Sequence, residues 1–327
     1  MKIGKLTNED LNHYILSKIH HFRDDVILRP DIGEDCSAIA FNNELCIIST
    51  DPITATSKEI GKLGVHISCN DIASSGAEPI GILVTLLVPP DAMMQDIEDV
   101  MKDICDTTRE MKVDILGGHT EVTNAVNRIV LSVTVIGKTS VQNLVRTSGA
   151  EIGDEILITK WAAIEGTNII INEFYEKIKN SLSETEISKA QNLICNISVV
   201  KEGLISAKYG VSSMHDITEG GVLGAIWEVA EASHKGVQIN LDNIPILSIT
   251  KKICSIMGID PYRLMSSGSM LITCKNGEGL KLELAHHDIS SAIIGKVIET
   301  ERYYRIGKQK TKYMIKPPEG DELYKIF

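Results

Sequence analysis

Residues 215–222 read HDITEGGV, which places His215, Asp216, Thr218 and Glu219 within five positions and follows them with Gly220 and Gly221. An imidazole, two carboxylates and a hydroxyl are groups that move protons and contact metal or phosphate. Val222, Ile226 and Val229 then recur at i, i+4 and i+7, the spacing of one buried helix face. Bare amides at a helix N-terminus, together with its dipole, favour an anion. The same residues also read as a cap, because Asp216 followed three positions later by Glu219 is close to a capping box. The sequence alone leaves both open.

A second signal is an acid on an apolar face. A helix over about 57–75 puts Ile60, Gly64, Ile67 and Asp71 in one stripe at 100° per residue. A carboxylate on the face that packs inward needs a cation, strong donors or a raised pKa, because burying it alone is very costly. Capping a neighbouring element or pairing with arginine would also satisfy it. Three further acids stand at element ends: Asp35 after Gly33, Asp51 closing the strand ELCIIST, and Glu121 after the glycines of LGGHTEV. Four such acids in one half of the chain point to a hard cation. Mg²⁺, which prefers carboxylates, water and phosphate oxygens, usually arrives with a nucleotide. His119, between those glycines and Glu121, is a candidate for phosphate contact or proton transfer, or else a plain turn histidine. Lys160, after the strand EILIT, is a phosphate candidate whose alternative is an ordinary surface lysine.

Other chemistries are excluded by what is missing. There is no G-x-x-x-x-G-K-[ST] loop, no G-x-G-x-x-G after a strand and no G-x-S-x-G elbow. His66 and Cys69, three apart on one helix, have no matching second pair and read as core. The seven cysteines are scattered without a C-x-x-C pair, which fits reduced thiols in a cytoplasmic protein. A net charge of −11 disfavours nucleic acid. No apolar run is long enough to span a bilayer, and the polar start MKIGKLTNEDLNHY is not a secretory signal.

These motifs need elements to hold them. The patterns predict strands at 44–50, ending at Asp51-Pro52 where proline cannot continue a ladder, at GILVTLLVPP, at 113–118 ending in glycines, and at 128–138. Residues 94–111 form an amphipathic helix with Ile97, Met101, Ile104 and Met111 inward. Glycines and charges near 150 mark a domain boundary, dividing 1–150 from 151–327. The second part opens with EILITK and a helix from Gly166. A long helical stretch with Ile187, Leu193, Ile194, Ile197 and Leu204 comes next, then the Gly221 helix and the short strands GSMLITC and IIGKVIE. The run RIGKQKTKYMIK reads as a solvated strand face.

Taken in order, DIGEDCSAI, STDPIT, HISCNDIASSGAEP, LGGHTEV and HDITEGGV resemble the motifs of the aminoimidazole ribonucleotide (AIR) synthetase superfamily, most of all its hydrogenase expression/formation (HypE-like) branch. The resemblance implies an α/β fold of two domains, with a mixed N-terminal sheet that forms a barrel in a homodimer. It implies ATP and Mg²⁺, with phosphate passed to an acceptor oxygen of amide, carbonyl or phosphate type. By position, Asp35, Asp51, Asp71 and Glu121 become the metal and phosphate shell. Gly33, Asn70, Gly117, Gly118, Thr120, Lys160, Thr218, Gly220 and Gly221 become the nucleotide contacts. His119 and Asp216 are the catalytic candidates. Glu34 departs from the family's first aspartate. The last residues, DELYKIF, lack the branch's C-terminal cysteine, so carbamoyl transfer to a thiol and its dehydration in cis are not expected. A small-molecule kinase of the thiamine-monophosphate type, and a non-catalytic ATP-binding scaffold in a maturation complex, are the rival expectations.

Overall fold

A computed structural model of the chain describes residues 7–19, 22–34, 36–53, 58–307 and 311–326. Among them the strands form two mixed sheets, and helices cover both. The first sheet contains β1 (Val26–Leu28), β2 (Ser37–Phe41), β3 (Glu44–Ile53), β4 (Glu78–Val88), β5 (Asp114–Val122) and β6 (Val130–Ser140), in the order β1-β2-β3-β6-β4-β5. Its pairs are antiparallel except β4 with β5. β3 and β6 alternate buried and less buried residues, as half-buried strands do, and Leu45, Ile47, Leu131, Val133 and Val135 turn into the core.

The helix Ile60–Ser74 is buried nearly all round, the signature of a helix packed on every side. The sheet lies beneath it, the helix Met94–Met111 lies against Gly61, and the helix Val200–Tyr209 presses Gly203 onto the Ala73 carbonyl. Ile60, Gly64, Ile67 and Asp71 are all buried, as the stripe predicts. Met94–Met111 turns Ile97, Met101, Ile104 and Met111 to the core.

Three expected boundaries are corrected. β3 does not stop at Asp51-Pro52 but runs to Ile53, with Pro52 opposite Ser132 of β6. Pairing with β2 ends at Ile48, so residues 49–53 form a one-sided edge where proline's missing N–H costs nothing. β5 passes through its glycines and continues to Val122, because Gly118 lets it approach β4 where a Cβ would stand 1.9 Å from the Val84 carbonyl oxygen. The expected long helix over 187–204 is broken into Glu184–Gln191, a 3₁₀ turn at Asn192–Asn196, and Val200–Tyr209. The Asn70 side chain holds the break: its amide donates to the Ile197 carbonyl (2.9 Å), and its oxygen accepts from the Val199 amide (2.8 Å).

The second sheet contains β7 (Glu155–Thr159), β8 (Ser213–Asp216), β9 (Gly236–Asn240), β10 (Met270–Cys274), β11 (Ser291–Ile298), β12 (Arg302–Arg305) and β13 (Tyr313–Met314). Its order is β13-β12-β9-β11-β7-β10-β8, which leaves β8 at the edge, where it delivers HDITEGG. The helix Gly221–Ala232 buries Val222, Ile226 and Val229 against this sheet. Part of RIGKQKTKYMIK falls on 308–310, outside the described residues. No helix among the described residues is long and apolar enough to cross a membrane.

Candidate active site

Asp71 is 4% exposed, and its carboxylate accepts a 2.6 Å hydrogen bond from the Ser49 hydroxyl on β3. Its backbone carbonyl accepts from the Cys36 thiol and the Ser74 hydroxyl. Side chains alternate along a strand, so Ser49 and Asp51 share the face turned to this helix. The acid predicted to be out of place is therefore held by a hydroxyl and aimed with Asp51 at one cavity.

That cavity has a volume of about 510 Å³, within the range of small-molecule sites. The first half of the chain contributes Glu34, Ser49, Asp51 and Asp71. Glu165, Thr218, Glu219, Ser267 and Tyr324 come from the second half, and Ile53, Ile67 and Met265 add an apolar wall. Glu165 is buried and accepts from the Ser267 amide. Glu219 accepts from the Tyr324 hydroxyl at 2.8 Å. Burial beside Glu219, Asp321 and Glu165 pushes the Tyr324 phenol well up, so it remains a donor. Glu34 accepts from the Ser148 hydroxyl (2.6 Å) and amide, so the arm that is longer than an aspartate's reaches the segment between the sheets.

Several expected contacts lie elsewhere. Lys160 is buried. Its ammonium donates to the Asn196 and Ser198 carbonyls and lies 2.7 Å from Glu202, so it braces the broken helix and is not a phosphate ligand in this arrangement. Burial lowers its pKa, which Glu202 partly offsets. The start of the Gly221 helix is also taken: the Gly220 amide donates to Asp321 at 2.8 Å, and Pro318 covers Gly220. Burial pushes Asp321 up to about 7, against the amides of Leu323, Gly220 and Met265 that favour its charged form. The anion site read from the glycine pair thus exists, and the chain fills it with its own carboxylate. Gly33 packs on the Glu228 carbonyl, and Asp216 is buried in β8 while Thr218 reaches the cavity. His215 meets Glu228 at 3.1 Å. His66 is a core histidine, pushed down to about 4 by burial.

Gly117, Gly118, His119, Thr120 and Glu121 lie on β5, exposed along its length, with His119 3.6 Å from Glu121. Three strand spacings separate β5 from β3, roughly 14 Å, so within one chain Glu121 does not join Asp51 and Asp71. Asp35 lies outside the described residues. Residues the motifs did not mark as contacts, Ser49, Glu165, Glu219 and Tyr324, complete the wall. Ser49 stood inside STDPIT and Glu219 inside HDITEGGV, but nothing local signals Glu165 or Tyr324.

Among the described residues no three His, Cys, Asp or Glu side chains converge to cage a metal. Mg²⁺ asks for less, since one or two carboxylates plus water and substrate phosphates suffice. Asp51 and Asp71 fit that requirement.

Two sheets joined at an acid-lined cleft define a two-domain AIR synthase fold, and the chain belongs to that family. Residues 33–139 match the AIR synthase related protein N-terminal domain, and residues 151–308 match its C-terminal domain. Among relatives, a Methanocaldococcus jannaschii protein named for hydrogenase expression and formation is 27% identical over 99% of this chain and 97% of its own. Carbamoyl dehydratase HypE of Cupriavidus necator is 24% identical over 83% of this chain and 79% of its own. The fold matches hydrogenase maturation protein HypE in complex with ATP (TM-score 0.69, 18% identity, 98% of this chain and 94% of that one). It also matches AaThiL complexed with AMPPCP and TMP (TM-score 0.72, 19% identity, 89% and 91%).

Proposed function

We propose that the chain is an ATP- and Mg²⁺-dependent enzyme that activates an acceptor oxygen of amide, carbonyl or phosphate type by phosphoryl transfer. The observation that carries this reading is the convergence of Asp51 and Asp71 with Thr218 and Glu219, drawn from both halves, on one cavity. The names of the relatives, a carbamoyl dehydratase and proteins solved with ATP or AMPPCP, support it. A magnesium ion, when bound, neutralises phosphate charge. Asp51 and Asp71 are the residues that would hold it, with Ser49 fixing the orientation of Asp71. Thr218 donates to phosphate oxygen, Glu219 takes the acceptor proton, and Ile53, Ile67 and Met265 keep water out. Positioning and charge neutralisation do most of the work in such transfers.

The β4–β5 edge of the sheet leaves Leu83, Ile115, Leu116 and Val122 exposed. A homodimer built on it would cover these side chains and could offer Gly117, Gly118, His119, Thr120 and Glu121 to the other copy's cavity. That is the remaining route by which β5 serves a site roughly 14 Å away in its own chain. Sedimentation that gives a monomer would remove it.

Thermal unfolding with ATP, with and without Mg²⁺, tests the nucleotide site. Ligand at 100 times its dissociation constant stabilises the native state by about 2.7 kcal/mol, and Asp71→Asn is expected to lose that gain. Steady ADP release would then separate an enzyme from an ATP-binding scaffold, and thiamine monophosphate as trial acceptor would test the small-molecule kinase reading.

A further inference from the structure

The segment 317–326 is bound into the molecule at several points. Asp321 accepts from the Gly220 and Leu323 amides, Glu322 accepts from the Asp260 amide, and the Leu323 side chain is fully buried in a core cluster. The 3₁₀ turn Glu322–Lys325 that starts on Asp321 therefore presents Tyr324 from a rigid base. Tyr324 lines the same cavity as Asp51, Asp71 and Thr218, and its hydroxyl donates to Glu219 at 2.8 Å. A hydroxyl hydrogen-bonded to a carboxylate is the arrangement of an acceptor with its general base.

We propose that Tyr324 is a phosphoryl acceptor within its own chain, a modification site served by the cavity it lines. The inference rests on the reading of that cavity as a nucleoside triphosphate site. The phenol oxygen of Tyr324 attacks the γ-phosphorus, the bond from that phosphorus to the β–γ bridging oxygen breaks, nucleoside diphosphate leaves, and the phenol proton passes to Glu219. The phenol stays protonated until transfer, because burial and the surrounding carboxylates oppose its ionisation, so the transfer depends on Glu219.

The test uses the full chain, treated first with a phosphatase that is then removed, and incubated with ATP and Mg²⁺. Intact mass is expected to rise by one phosphoryl group, and fragment spectra to place it on Tyr324. The group should survive hydroxylamine, which strips acyl phosphates from aspartate or glutamate. Tyr324→Phe, checked for an unchanged unfolding profile, is expected to abolish the gain, and Glu219→Gln to slow it. Phosphate on another residue, or a gain retained in Tyr324→Phe, overturns the inference. A magnesium-dependent ATP stabilisation of the wild type with no gain in mass overturns it too, while leaving the functional reading intact. Neither stabilisation nor gain removes both.

Discussion

Two carboxylates, one in each half, sit where a helix would not ordinarily place a charge, and their uses differ. Asp71 projects from the last turn of Ile60–Ser74, is oriented by Ser49 and faces a cavity. Asp321 comes from the far end of the chain and closes the start of the helix Gly221–Ala232 by accepting from Gly220. An acid on an apolar stripe marked a side chain that lines a cavity. A glycine-opened helix start, which on electrostatic grounds is the stronger anion signal, marked an internal cap. A group aimed into a cavity is available to a ligand, and a helix end met by the chain's own carboxylate is not.

The largest effect is expected away from both. Lys160→Met leaves Glu202 buried without its cation, a change that costs about 3–5 kcal/mol, readable as a loss of urea unfolding midpoint. ATP affinity of the folded fraction should not change; a weaker affinity at unchanged stability would restore Lys160 as a ligand. Gly221→Ala comes next. Gly221 has φ +61° and its added Cβ would stand 2.7 Å from the Leu264 carbonyl oxygen, so strain and crowding together should cost roughly 2–4 kcal/mol. An unchanged melting temperature would mean that this helix start is looser than the contact with Asp321 implies.

The smallest effect sharpens the contrast through pH. Asp321 is raised to about 7 from 3.8, so between those values the native chain keeps a proton that the unfolded chain has lost, and stability falls as pH rises. His66 is lowered to about 4 from 6.5, so over its window the unfolded chain holds the extra proton and stability rises with pH. The two oppose each other between about 4 and 6.5. Asp321→Asn should therefore make the melting temperature climb more steeply with pH in that range, and His66→Gln should flatten or reverse the climb. Parallel curves for wild type and both variants would contradict both burials.

Local chemistry made much of this protein legible in its residues. Apolar periodicity at 94–111 and at Val222, Ile226 and Val229 predicted helices with the observed inner faces, since a helix's buried stripe is set by its own 3.6-residue turn. The odd position of Asp71 was visible for the same reason. Other features depend on distant neighbours. Pro52 stays in a strand because β2 ends before it, and 197–199 is not helical because Asn70, more than a hundred residues earlier, takes its backbone groups. Glu121 and Asp51 look alike along the chain, both acids by a strand or glycine turn, yet two strands inserted between β3 and β5 set them apart. Tyr324 and Asp321 carry no local signal, because what gives them a role is the helix start and the cavity they reach. Periodicity reports the environment of one element. Which elements share a cavity, and which side chain fills a vacant hydrogen-bonding end, is settled when the sheets pack.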